Sequence, residues 1–206
     1  MSEQARDERF DHLFATTVRE RLGREGYGGG ASPDADAVPL TYGFPYPESF
    51  PTAELVAATE TVIEEEAADV LQYGGGEYVE RLHDGILARE ELRGIDADRE
   101  ELLVTNGATH ALDAISSTFL DPGDEVLVES PTFVWSLKVL DNRGADLTGV
   151  ELDSDGLDPD ALEAELLARE AAGEPTPKLL YTIPEFQNPT GATLTRERRE
   201  RVLELA

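Results

Sequence analysis

The sequence predicts an α/β fold, a largely parallel sheet with helices on both faces. Three observations lead there. From Arg99 onward, short apolar runs alternate with stretches of helical period. The helical stretches are about ten to fifteen residues long, which suits crossovers between parallel strands rather than hairpins. No internal repeat points instead to a solenoid or a propeller.

In chain order, residues 1 to about 25 have mixed charge, with Phe10, Leu13, Phe14, Val18 and Leu22 at helical spacing on one side. Gly28-Gly29-Gly30 and the Ser-Pro-Asp-Ala-Asp run form a flexible linker, with no strand before the glycines to make them a phosphate cradle. Thr41 to Pro47 is an extended turn segment, and Pro51 opens a helix through about Ala68. Leu102-Leu103-Val104 is expected as a strand and Asn106-Gly107 as a turn. A helix follows, with Ala108, Ala111, Leu112, Ile115 and Phe119 on one face, ending at Asp121-Pro122-Gly123-Asp124. Next come a strand over Glu125 to Glu129, a helix after Pro131, a strand around Leu147 to Leu152, and a helix opened by Asp158-Pro159. A strand over Leu179 to Ile183 and a helix beginning near Thr195 complete the chain.

Composition narrows the function. The 206 residues carry 44 acidic and 17 basic side chains, a net charge of −27, so a nucleic acid would be repelled. Lys138 and Lys178 are the only lysines, and the other cations are arginines. Such acid-rich, lysine-poor surfaces suit a salt-saturated cytoplasm, where cations of the medium screen the self-repulsion. Without cysteine there is no disulfide, thiolate catalysis or thiolate metal site. His12, His83 and His110 have no metal-site spacing, and Asp153-Ser154-Asp155-Gly156 places its glycine too early for a calcium loop. No apolar run approaches the roughly 20 residues of a bilayer span, and the charged N-terminus is unlike a signal peptide, so a cytoplasmic location is expected.

Three turns carry the chemistry. Thr105-Asn106-Gly107-Ala108-Thr109 joins a strand to a helix start, where unpaired N–H groups and the helix dipole favour an anion; read alone, it is more simply an ordinary capped helix. Ser130-Pro131-Thr132-Phe133 follows the next strand and projects an aromatic ring from the same sheet edge, which by itself could be core packing. Tyr181 to Gly191 ends a strand at Pro184 and holds Asn188, a neutral donor, in a proline- and glycine-rich turn. A plain turn is the alternative there.

Together, in this order, the three segments resemble fold-type I pyridoxal-phosphate-dependent aminotransferases of class I and II. They are most similar to the subgroup of 2-aminoadipate aminotransferases and the cofactor-binding domains of MocR-type regulators. The resemblance runs from about Leu40 to Ala206. It implies an aspartate-aminotransferase-like three-layer α/β sheet, incomplete here, with residues 1–50 as arm and linker and 51–206 as the first half of the large, pyridoxal-5′-phosphate-binding domain. It implies a phosphate cup at Gly107, Ala108 and Thr109, a ring stacked on Phe133, and Asn188 as donor to the phenolic oxygen. Tyr73 would reach the phosphate of a partner subunit in a homodimer, although Glu77 to His83 depart from the family pattern just after it; a half-buried aromatic beside a glycine turn is equally the alternative. Gly43, with Asn188, would line the substrate pocket, where a proline-rich connector is the alternative. Substrates would be an amino acid and a 2-oxo acid.

The family's Schiff-base lysine, its acidic partner to the pyridine nitrogen and its carboxylate-binding arginine all lie beyond the asparagine motif. No catalytic residue is therefore expected in this chain, and Lys138 and Lys178 stand in the wrong contexts for the role. The chain is expected to be the N-terminal half of a longer protein, with transaminase activity by itself doubtful. Two readings from other classes remain. One is a ligand-sensing domain of a transcription regulator, which needs a helix-turn-helix that residues 1–25 are too short to supply. The other, a nucleotide-dependent oxidoreductase, needs a glycine-rich fingerprint that Asn106 to Thr109 do not form.

The charge also sets a stability expectation. Unscreened repulsion should loosen the fold at low salt, so the melting temperature should rise from low to molar potassium chloride. A flat or falling trend would contradict this.

Overall fold

The structure is a computed structural model that describes residues 13–16, 43–74 and 76–206. The helix expected over residues 1–25 and the Gly28–Gly30 linker therefore lie outside the described residues, apart from 13–16. The chain divides into two compact units. One comprises residues 32–105, and the other comprises 106–206 with 1–31.

The 32–105 unit is helical. A 3-10 turn, Pro47–Ser49, leads to α1 (Thr52–Val70), with Pro51 as its N-cap, and then to α2 (Gly76–Glu91) and a second 3-10 turn, Arg99–Glu101. α1 is rich in alanine and glutamate, both good helix formers, and bends at Glu66, whose φ of −139° leaves the helical region. Side chains near the bend tie the two helices together: Tyr78 Oη donates to Glu65 Oε2 at 2.6 Å, and Arg81 reaches Glu66 at 3.3 Å while lying 3.9 Å over the Tyr78 ring. The strand expected at Leu102-Leu103-Val104 is not formed. A strand exists by pairing, and no described strand pairs with this segment, whose Leu103 is 75% exposed.

The other unit is the α/β body. α3 (Ala108–Phe119) leads to β1 (Glu125–Ser130), α4 (Val134–Asn142), β2 (Asp146–Asp153), β3 (Gly156–Leu157), α5 (Pro159–Ala172), β4 (Leu179–Tyr181) and α6 (Arg196–Leu205). The sheet order is β3-β2-β1-β4, with β1 parallel to both β2 and β4. Only β3 runs antiparallel, closing a hairpin with β2 across the Asp153–Gly156 turn. Burial on β1 alternates by face. Val126 and Val128 pack with Leu112, Leu120, Leu137 and Leu140 under α3 and α4, whereas Leu127 packs with Leu157, Leu162, Leu194 and Val202 under α5 and α6. Both faces of the sheet are thus covered, giving three layers.

The helices start and stop where their ends are satisfied. Asp158 caps α5 by accepting from the Asp160 N–H at 2.9 Å, Pro159 takes the first turn, and Gly173 closes the helix at φ +71°. Thr195 caps α6 by accepting from the Arg198 N–H. β4 ends two residues before the expected Ile183. Thr182 Oγ1 and the Ile183 N–H leave the ladder and donate instead to the buried carboxyl of Glu129, at 2.5 and 3.2 Å. Among the described residues no helix is long and apolar enough to cross a membrane.

Two arginines bind the outer helices to the sheet. Arg169 of α5, with its side chain 11% exposed, donates to Glu125 on β1, Thr148 on β2 and Glu165 on its own helix. Arg198 of α6 grips Asp153 with two 2.7 Å bonds and donates to the Gly156 and Leu157 carbonyls, clamping the β2–β3 hairpin. The guanidinium lowers the Asp153 carboxyl from 3.8 to about 2. A depressed carboxyl stabilises the fold in full above the unfolded value and loses its contribution as the pH falls through the folded one. Unfolding at fixed salt should therefore depend more steeply on pH between 3.8 and about 2 in the native chain than in Arg198→Met. Parallel stability curves for the two proteins would show that the clamp is electrostatically idle.

Candidate functional site at the carboxyl edge of the sheet

β1 and β4 are parallel neighbours, so the loops after them leave the sheet side by side at its carboxyl edge. In open α/β sheets this edge is where ligands bind. The loop after β1 runs from Pro131 to Phe133, which is the half-buried N-cap of α4. That helix is tied to β4 by Ser136 Oγ donating to Tyr181 Oη at 2.7 Å. The loop after β4 folds back on itself. Gln187 N donates to the Ala192 carbonyl, Gly191 N to the Gln187 carbonyl and Leu194 N to the Pro184 carbonyl.

Two adjacent amide side chains in this loop have opposite fates. Gln187 is 1% exposed and fully bonded: its Nε2 donates to Glu129 Oε2 and to the Pro131 carbonyl, both at 2.9 Å, and its Oε1 accepts from the Thr190 N–H and hydroxyl. Asn188 is exposed, and its side chain has no hydrogen-bond partner among the described residues. An unengaged donor on a braced turn is what a ligand contact requires.

α3 brings the third element to the same edge. It runs into β1 through the short Leu120–Asp124 turn and so antiparallel to that strand, which returns its N-terminus to the carboxyl side. Gly107 is its N-cap at φ +80° and ψ 173°, a backbone conformation open essentially only to glycine, with open space where a Cβ would stand. No side chain caps this end. The Gly107 carbonyl accepts from the His110 and Ala111 N–H groups, whereas those of Ala108 and Thr109 have no acceptor among the described residues. The turn is held from outside, the Asn106 N–H donating to His110 Nδ1 at 3.1 Å. Thr132 Oγ1, between Pro131 and Phe133, is buried and also has no partner among the described residues. Free amides, an open glycine, an unpartnered hydroxyl and a free carboxamide suit a ligand with a phosphate and a polar ring substituent.

Five of the expected contacts, Gly107, Ala108, Thr109, Phe133 and Asn188, therefore belong to one unit and one sheet edge. The other two lie in the 32–105 unit: Tyr73 is fully exposed in the turn after α1, and Gly43 is exposed ahead of the first 3-10 turn. Lys178 stands at the opposite, amino end of β4, paired with Asp124 at 2.6 Å, and that carboxylate raises its pKa. Lys138 lies along α4, 5.1 Å from the Trp135 ring centre. Motif and spacing alone do not mark Glu129, Gln187 or His110 as residues that shape these loops. For Glu129 strand alternation gives a signal, since it puts the residue in phase with buried Leu127.

Comparison with known proteins gives this geometry a lineage. Residues 42–206 match the family model for aminotransferase class I and II. The chain is 36% identical over 173 residues to aromatic-amino-acid aminotransferase 1 of Thermococcus litoralis, covering 84% of this chain and 41% of the relative. It is 35% identical over 163 residues to 2-aminoadipate transaminase of Thermus thermophilus, covering 79% and 38%. The crystal structure of a multiple substrate aminotransferase from Thermococcus profundus superposes with a TM-score of 0.77 at 32% identity, over 96% of this chain and 49% of that one. Proteins described as helix-turn-helix transcriptional regulators are also among the relatives. The chain spans about two fifths of the length of the curated relatives it matches. A family match over residues 42–206, with the superposed fold, establishes that the chain belongs to the class I and II aminotransferases.

Proposed function

We propose that this chain supplies the phosphate- and ring-holding part of a pyridoxal 5′-phosphate site. The protein it serves moves an amino group from an amino acid to a 2-oxo acid. The observation that carries this reading is the convergence of three separate features, the open α3 N-terminus, Phe133 and the unengaged Asn188, on one sheet edge. Pyridoxal phosphate supplies an electron-withdrawing ring able to carry the amino group between the two substrates. The Ala108 and Thr109 amides, at the positive end of the helix dipole, hold the phosphate. Phe133 lies against the ring and keeps water from that face. Asn188 donates to the phenolic oxygen, which favours its ionised form.

Residues 51–206 serve as the first half of the large domain, residues 1–50 as its arm, and Tyr73 and Gly43 as contacts completed in a homodimer. The lysine that bonds the cofactor is read as supplied from outside this segment: Lys178 is paired with Asp124 at the far end of β4, and Lys138 lies along α4 beside Trp135. A salt-rich cytoplasm fits the charge. A second reading, a cofactor-binding sensor in a transcription regulator, is favoured by the regulators among the relatives. In that case another segment would have to meet DNA, since a net charge of −27 repels it.

Pyridoxal phosphate absorbs where tryptophan emits, so binding should quench Trp135, the single tryptophan. Weak, noncovalent binding is expected, displaced by inorganic phosphate. Asn188→Ala should weaken it about tenfold with an unchanged melting temperature, the equivalent of one hydrogen bond to an anionic oxygen. Borohydride should leave Lys138 and Lys178 without stoichiometric label. Absence of quenching, or indifference to Asn188→Ala, contradicts the proposed site. Stoichiometric labelling of either lysine together with amino-acid turnover would relocate the catalytic base.

A further inference from the structure

The Phe133 loop and the Asn188 loop follow different strands, β1 and β4. A ring held between them needs their separation fixed to a fraction of an ångström. The backbone does not fix it, because the β1–β4 ladder stops at Val128↔Tyr181, before either loop begins. Beyond that register the connection is made by side chains. Glu129 of β1, 1% exposed, accepts from Thr182 Oγ1, the Ile183 N–H and Gln187 Nε2. Gln187 in turn donates to the Pro131 carbonyl in the Phe133 loop and accepts from Thr190 on the far side of Asn188.

We propose that Glu129 and Gln187 form a positioning pair, a buried bridge that sets the gap between Phe133 and Asn188 and so the alignment of the ligand ring. The geometry stands independently of the proposed function; the consequence for a ring rests on that function. Orientation is dictated by valence. Gln187 must turn Nε2 toward Glu129 and the Pro131 carbonyl, both acceptors, which leaves Oε1 for the Thr190 donors. A carboxylate at 187 could not serve both sides, and an apolar residue would serve neither.

The test uses the 206-residue chain. In Gln187→Met, amide hydrogen exchange at Thr190, Gly191 and Ala192 should quicken about tenfold relative to that of β1. Acrylamide quenching of Trp135, two residues past Phe133, should rise in the same variant. With 4′-deoxypyridoxine 5′-phosphate as probe, which cannot bond a lysine, the phenol of the bound probe should ionise at higher pH than on the native chain. A purely structural role would not move that ionisation. The paired exchange Glu129→Gln with Gln187→Glu guards against simple misfolding. It restores a donor facing an acceptor and keeps the Thr190 bonds, but leaves the Pro131 carbonyl against an oxygen. Exchange at Thr190 should therefore recover while Trp135 quenching stays high.

The proposal is overturned if all amides, including those of β1, quicken in proportion, or if only one of the two loops responds to Gln187→Met. It is equally overturned if the paired exchange behaves as the single variant does. Failure of the native chain to bind the probe would sink the cofactor reading alone, because the exchange and quenching results judge the bridge without any ligand.

Discussion

A carboxyl group enclosed by protein costs several kcal/mol unless its oxygens are bonded. Glu129 meets that condition by drawing three donors to itself from beyond the end of β4. Much of the site follows from this one requirement. β4 stops at Tyr181 because Thr182 and Ile183 turn to the carboxyl; Gln187 is pulled into the interior beside it; and Asn188, next in the chain, is left facing outward. The asparagine is exposed because the glutamine is not. An apolar residue at 129 would let the strand continue and would release the turn, so the polar atom in the core is a device for specifying one loop conformation.

Much of the body was legible in the sequence because local signals and tertiary demands agree there. Asp158-Pro159 starts α5, Thr195 starts α6, and the alternating apolar residues of β1 divide between two hydrocarbon layers as strand geometry requires. Leu102-Leu103-Val104 misled, since its composition is that of a strand while its structure depends on a neighbouring strand that propensity cannot see. α2 went unforeseen behind the glycines of residues 74–76, which signal a break more loudly than Tyr78, Val79 and Leu82 signal a helix. At the proposed site, Gly107, Phe133 and Asn188 are singled out by turn chemistry and motif order. Glu129 and Gln187 were hidden because polar residues are ordinarily read as exposed, and only the three-dimensional pairing shows that the two satisfy each other.

The charge distribution has a similar logic. Cations are scarce, and every arginine after residue 43 is placed against an acid. Most of these pairs are exposed, so water and salt screen them and each contributes little. The exceptions are Arg169 and Arg198, whose enclosed guanidinium groups bond across elements and hold the α5–α6 layer to the sheet. Acids far outnumber these partners, and that imbalance is the reason a rise of stability with salt is expected.

The claim that three loops of one sheet edge form a single ligand site is tested most directly by assigning the backbone and side-chain amides by NMR and titrating the chain. Inorganic phosphate should come first and pyridoxal phosphate second. Phosphate alone should shift the Ala108 and Thr109 amides, and pyridoxal phosphate should add the Asn188 carboxamide and the residues around Phe133, with one common affinity. Shifts scattered over the surface, or centred on Lys178 at the opposite edge, would contradict the account.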